Sequence, residues 1–182
     1  MVLLILILAG LLLFMRRFLL GFIILLLIMF GLELLQPVQE HIILPFTGLL
    51  ASVCSFLVSA FDTRAIAYGK VLQDSASGFA ISIEAGCNGV EACIVLIAAI
   101  LAFPAPWRYK LKGIVLGIIA IQLLNIVRVI SLFYLGQWDM DWFMFAHTYL
   151  WQTLIMLDVL LVFMIWIWRM PVSLPAETVN EG

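Results

Sequence analysis

Charge is what this chain has least of: Asp, Glu, Lys and Arg together make up 11% of its 182 residues. A soluble domain needs a solvated face on its helices and strands, and there is too little polar material here to supply one. Only two histidines and three cysteines (Cys54, Cys87, Cys93) occur, and the odd cysteine count does not make a disulfide framework. No CxxC, HExxH or Cys/His cluster stands at ligand spacing, so no metal and no cofactor are expected. Nine basic residues against eleven acidic ones, with no basic domain, leave no reason to expect a nucleic-acid partner. Internal repeats and Gly/Ser- or Pro-rich linkers are also missing, which points to a single domain over 1–182.

What is present is apolar. Hydrophobic residues make up 66% of the chain, mean hydropathy is +1.24, and the solvent such a chain requires is a lipid bilayer. "FLLGFIILLLIMFGLELL" (18–35) is long enough to span, with Arg16 and Arg17 holding its start in the cytoplasm. The charges follow the first apolar run instead of preceding it, unlike a signal peptide. Residues 1–14 are too short to span alone. They are expected to form an extra interfacial turn or to precede a true start at Met15, and 1–17 is set apart as an N-terminal extension. Further spans are "ACIVLIAAILAF" (92–103), 113–136 and 143–168. Arg108, Lys110, Lys112 and Arg169 place 104–112 and a tail at 170–182 in the cytoplasm, while Asp139 and Asp141 place 137–142 outside. Trp107, Trp166 and Trp168 are expected in one interfacial belt, and Trp138, Trp142 and Trp151 in the other.

The segment 41–61 is also long enough to cross, but crossing would put the start of the next helix in the cytoplasm, against the charge of 104–112. Gly48, Ser52, Ser55 and Ser59 draw a small polar stripe along it, so the expectation is a helix at the outer interface or tilted into the bundle. After it, 62–86 alternates and carries turn residues at Asp74–Gly78, which reads as an extracytoplasmic β-hairpin. The expected fold is an all-α polytopic membrane protein: a compact bundle of four to five transmembrane helices, an interfacial helix and a short hairpin.

Within this frame "EAGCNGVEA" (84–92) stands out. Asn88 with Glu91 three residues on resembles a capping box, so a helix is expected to start at about Gly89 with Cys87 just ahead of its cap. Free amides at a helix start stabilise a nearby thiolate, so Cys87 should react faster near neutral pH than an ordinary exposed cysteine. The same amides suit a developing oxyanion, and Gly86 and Gly89 let a substrate backbone come close. Cys87 lies 17 residues before Pro104 and Arg128 lies 16 after Lys112. At 1.5 Å per residue both stand roughly 25 Å above the cytoplasmic loop. Asn125 shares the helix face of Arg128. His147, 22 residues before Arg169, falls ~8 Å higher by the same rise, a gap that tilt or an unwound turn absorbs.

Each residue also has a plain structural reading. Cys87 suits close helix packing, Arg128 suits pairing or snorkelling, and Glu84 and Glu91 suit capping and solvation. Asp158, deep in the last span, suits helix pairing. Depth alone leaves open a thiol enzyme and a non-enzymatic transport or assembly protein whose Arg128 and His147 line a polar path. A thiol oxidoreductase fits poorly, because Cys93 lies six residues along the helix on another face.

At these residues the chain resembles the exosortase/archaeosortase family of membrane cysteine proteases or transpeptidases. "EAGCNGVEA", "LLNIVRVISLFYLG" and "FAHTYLWQ" are similar to its cysteine, arginine and histidine motifs. The compact length, "FGLELLQPVQ" and "AAILAFPAPWRYKLKG" are similar to exosortase H, and the resemblance runs from Met15 to Trp168 without needing 1–14. It implies Cys87, Arg128 and His147 as catalytic residues, and the cap, turn and helix face around them offer Asn88, Gly89, Asn125, Glu84 and Glu91 as support. It also implies a bacterial inner-membrane location with the site facing the periplasm. Implied partners are exported proteins ending in a short IPTL…WG-type motif, a transmembrane helix and a basic tail, with an unidentified acceptor nucleophile.

Overall fold

The computed structural model describes the backbone of residues 2–170 and the side chains of 8–170. Residues 171–182 of the expected cytoplasmic tail lie outside the described residues. Five helices run in order as α1 (Val2–Glu33), α2 (Gln36–Ser59), α3 (Val90–Ala102), α4 (Trp107–Trp138) and α5 (Met140–Trp168). Between α2 and α3 lie strands β1 (Ala65–Tyr68), β2 (Val71–Asp74) and β3 (Ala80–Ser82). Four of the helices, all but α3, are long and apolar enough to cross a membrane by length and composition. The chain is a helical polytopic membrane protein.

One end of the bundle gathers the bases. Tyr109 at the start of α4 stacks on Trp166 near the end of α5, with ring centroids 5.2 Å apart, and its hydroxyl donates to the Trp166 carbonyl at 2.7 Å. Lys110 donates to the Leu101 carbonyl at 2.6 Å. Small residues let the helices meet: a Cβ at Gly113 would collide with the Trp166 indole, and one at Gly117 with Leu96. α1 lies antiparallel to α3, with Phe14 and Phe18 each 6.0 Å from the Phe103 ring and Glu33, at its far end, within electrostatic reach of Glu91.

The opposite end carries the sheet, whose order is β1-β2-β3 with both pairings antiparallel. The sequence led to one hairpin, but there are two. The Asp74–Gly78 turn joins β2 to β3, while Gly69, at φ 53°, turns β1 into β2. Leu72, Ala65 and Ile83 from this region pack with Leu50, Ala51, Cys54 and Val58 of α2 and Val129 and Phe133 of α4. This second core fixes α2. Thr47 reaches Asn88, Gly48 lies under the Gly69 carbonyl, and Ser55 donates to the Ala65 carbonyl at 3.0 Å. Just past its end, Asp62 accepts from the Tyr134 hydroxyl at 3.4 Å. These partners all belong to the sheet end, so α2 leans across the upper part of α4 instead of running beside its whole length. Of the predicted polar stripe only Gly48 and Ser55 face the sheet, since Ser52 and Ser59 bond within their own exposed helix face.

Several boundaries differ from expectation. α1 is one continuous helix from Val2, with no separate interfacial turn over 2–14. The basic loop is helical from Trp107, because Pro106 starts a helix readily at its cap. α5 begins at Met140, capped by Asp139, whose carboxylate accepts from the amides of Asp141 and Trp142 at 2.8 and 3.1 Å. Trp166 and Trp151 are buried in packing instead of lying in belts, whereas Trp107, Trp168, Trp138 and Trp142 are exposed.

Candidate active site

The chain leaves β3 into a tight turn in which the Cys87 amide donates to the Glu84 carbonyl at 2.9 Å. Gly86 takes φ 82°, a left-handed conformation that disfavours other residues. The next turn sets the start of α3. Its N-cap is Gly89, at φ 78°, one residue later than the predicted Asn88 cap. Asn88 instead accepts from the Val90 amide at 3.0 Å, gives its own amide hydrogens to Thr47 at 3.2 Å, and takes the Gln122 side chain on its carbonyl at 3.3 Å. Asn88 thereby ties α2, α3 and α4 together. Glu91 folds back onto the Gly86 amide, not onto the cap residue, which closes the turn from below. Gly89 must be glycine on two counts: its φ, and a Cβ that would stand 2.8 Å from Gln122 Nε2 and 3.2 Å from Asn125 Nδ2.

Arg128 arrives from α4. It is 2% exposed, and its guanidinium spans the turn, Nη1 donating to the Gly86 carbonyl at 3.2 Å and Nη2 to Cys87 Sγ at 3.4 Å. Its Nε–H has no partner among the described residues. His147 arrives from α5 and sits in a π-helical turn, Ala146–Leu150, a wider turn that often accompanies functional sites. Its ring stacks on Phe143 at 5.6 Å, and its Nδ1 stands 3.9 Å from Cys87 Sγ. The three residues that the depth argument put near one level therefore touch, around one sulfur.

The supporting residues divide. Asn88, Gly89 and Glu91 shape the turn. Glu84 points outward, held by Lys70 in an ion pair at 2.5 Å and by Ser82 at 2.7 Å, and Lys70 followed by Ser82 holds its carboxyl below the usual range. Asn125 is fully buried with neither amide atom paired, packed against Gly89. Sequence reasoning missed Thr47 and Gln122. Gln122 carried a signal, a polar residue one turn before Asn125 in an apolar helix, whereas Thr47 had none. Among the described residues no group of three His, Cys, Asp or Glu side chains is placed to hold a metal ion.

The electrostatics correct one expectation. Burial pushes the Cys87 thiol above its ordinary value, Arg128 draws it down, and Glu91 and Glu84 push it up again, leaving it raised. The helix begins three residues after Cys87, and the amides of Gly86, Cys87 and Val90 are already paired. Desolvation at the sulfur outweighs the pull of Arg128, so at neutral pH it rests as a thiol beside a base. Alkylation tracks the thiolate fraction. The rate at Cys87 is therefore expected to keep rising past the ordinary thiol value of 9.0. Glu91→Gln, which keeps the bond to Gly86 and removes the charge, should speed alkylation at about pH 8 on the order of a few-fold. A pH profile already flat at neutrality would contradict this.

A groove of about 330 Å³ opens over the sulfur, with Phe79–Ser82, Glu84 and Ala85 on one wall and Met140, Phe143 and His147 on the other. Beneath it a cleft of about 40 Å³ is bounded by Cys87, Arg128, His147 and Ile83, room for about one water-sized group. Two larger cavities, about 400 and 390 Å³, lie at the basic end and touch none of these residues.

A family model described as transmembrane exosortase matches residues 1–168, a stretch that includes the 1–14 segment that the motifs did not require. No curated protein and no solved structure matches the chain.

Proposed function

The chain belongs to the transmembrane exosortase family, and from that membership we propose that it is a cysteine peptidase or transpeptidase acting on exported proteins with a C-terminal sorting signal. The observation that carries the reading is one sulfur flanked by Arg128 Nη2 at 3.4 Å and His147 Nδ1 at 3.9 Å, at the floor of an open groove. His147 takes the Cys87 proton as the sulfur attacks the scissile carbonyl carbon. The carbonyl π electrons move to oxygen, and the oxyanion is met by the Arg128 guanidinium, whose Nε–H is unspent. Collapse breaks the C–N bond, and the leaving amine receives the proton from His147, leaving a thioester on Cys87. Water or an acceptor amine then attacks the thioester, giving its proton to His147 and restoring the thiol. The basic end, with Arg17, Arg108, Lys110 and Lys112, lies in the cytoplasm of a bacterial inner membrane, and the sheet end faces the periplasm. A substrate would enter with its exported part above the sheet, its apolar helix in lipid and its basic tail inside.

Orientation is the most exposed element of this reading. A membrane-impermeant thiol reagent applied to intact spheroplasts at about pH 9 is expected to label the wild type, with labelling lost in Cys87→Ser. A cysteine introduced at Lys110 should label only after the membrane is broken. Labelling of Cys87 only in broken membranes would put the site in the cytoplasm and end the reading.

A further inference from the structure

The register of the sheet leaves one row of backbone groups unused. In an antiparallel pair, alternate residues turn their N–H and C=O toward the partner strand. The Asp74 amide donates to the Phe79 carbonyl at 2.8 Å and the Ile83 amide to the Lys70 carbonyl at 3.0 Å. Leu72 stands opposite Ile81 in the same register, so Ile81 of β3 and the flanking Phe79 and Ile83 face β2. Ala80 and Ser82 turn their N–H and C=O the other way. No strand lies on that side, since β3 is the last in the order, and among the described residues those groups have no hydrogen-bond partner. The free edge forms one wall of the groove whose floor is Cys87 and whose far wall is Met140, Phe143 and His147.

An unpaired strand edge is a template for another extended backbone. We infer that the sorting-signal segment of the substrate docks by adding a strand to the free edge of β3, parallel to it. This rests on the peptidase reading above. The direction follows from packing. Phe79 lies 6.2 Å from the Phe133 ring and beside Gly136, Ile83 shares a core with Val129, and Cys87 meets Arg128. From 79 to 87 the chain thus descends α4 from the sheet end toward the basic end. A substrate with its exported part above and its helix in the membrane descends the same way, so the two run parallel. In a parallel ladder one residue makes two bonds to the partners flanking its opposite number. The substrate residue opposite Ile81 donates its N–H to the Ala80 carbonyl and accepts at its C=O from the Ser82 amide. Backbone bonds hold the segment whatever its sequence, and the groove between β3 and Met140/Phe143 reads its side chains. The following residues are led down to Cys87 Sγ.

Proline tests the backbone separately from the side chain. Ser82→Pro removes the donating N–H on the free edge but leaves the ladder to β2, which Ile81 and Ile83 carry. Ser82→Ala keeps that N–H and loses only the hydroxyl bond to Glu84. The probe is an exported reporter ending in a motif, an apolar helix and a basic tail taken from the same genome. Ser82→Pro should slow its processing at limiting reporter by at least about tenfold relative to Ser82→Ala, with both variants keeping Cys87 labelling. Wild-type rates in Ser82→Pro would overturn the docking mode and leave the peptidase reading standing. A second arm needs no cleavage and covers a misfolded proline variant. Ser82→Cys in the Cys87→Ala background is cross-linked to single cysteines scanned through the reporter residues ahead of its helix. Cross-links at alternate positions support an added strand, and uniform or absent cross-linking overturns it. A wild type that leaves the reporter uncut while the alternation persists would sink the peptidase reading alone.

Discussion

Cys87→Ala is expected to abolish processing of a co-expressed reporter, a fall of at least ~10⁴-fold, since the acyl intermediate of the proposed reaction forms on its sulfur. The variant should still insert, because the turn around Cys87 is held by the Cys87 amide donating to the Glu84 carbonyl, the Gly86 amide donating to the Glu91 carboxylate, and the guanidinium on the Gly86 carbonyl, none of which uses the sulfur. The other two thiols are internal controls. Cys54 is fully buried among Leu50, Val58, Leu72 and Phe133, with its thiol packed in the core that joins α2 to the sheet. Cys93 faces Gln122, whose amide lies 3.7 Å from its sulfur. Cys54→Ala and Cys93→Ala remove packing worth about 1 kcal/mol each and should process the reporter within about twofold of wild type. The readout is the size shift of the reporter against the amount of enzyme in the membrane. Normal processing by Cys87→Ala would remove the sulfur from the chemistry altogether.

Much of the architecture was legible because lipid imposes a simple code. Apolar runs of spanning length became α1, α4 and α5, and Lys/Arg clusters marked one end of the bundle. Depth counted at 1.5 Å per residue brought Cys87 and Arg128 level, since Val90–Ala102 and Trp107–Trp138 are helical over most of the two stretches and adjoin the same loop. His147 fitted less well, and the reason is local. α5 starts seven residues before it, at Met140, and passes it through a π turn, which inserts a residue without any sequence signature. The cap shifted by one residue for a similar reason. Asn88 is the better capping side chain by type, but Gly89 alone can take φ 78° against Gln122 and Asn125, and that tertiary constraint outweighs the local preference. The place of α2 was only partly readable from its own residues, through the stripe of Gly48, Ser52, Ser55 and Ser59. Its hydropathy suits a span, and what tilts it is a core shared with Leu72 and Ile83, which lie outside it in sequence. The state of the thiol was not readable in the sequence because burial, which acts at the sulfur itself, is set by the tertiary fold around it.

Arg128→Lys keeps the formal charge and should still lower turnover by ~10²–10³-fold, the usual loss when an oxyanion donor is removed. The native guanidinium does three things from one rigid plane. Nη1 braces the Gly86 carbonyl, Nη2 meets the sulfur, and Nε–H is left free beside the small cleft under the groove. A lysine ammonium is a single nitrogen on a flexible stem and can occupy only one of these positions at a time. If it braces Gly86, the turn is held and the oxyanion is not; if it meets the oxyanion, the turn loses its brace. Arg128 itself is almost closed to water, at 2% exposed, and a buried ammonium sheds its proton far more readily than a guanidinium. The loss should therefore fall on kcat, with the concentration of reporter needed for half-maximal rate changed little, because the docking edge at Ala80 and Ser82 is untouched. Arg128→Gln, neutral but able to donate to one neighbour, should be no better than lysine. Turnover near the wild-type value in Arg128→Lys would make the residue a structural cation whose charge alone matters, and the oxyanion would then have to be held by the amides of Asn88 and Gly89, which have no hydrogen-bond partner among the described residues.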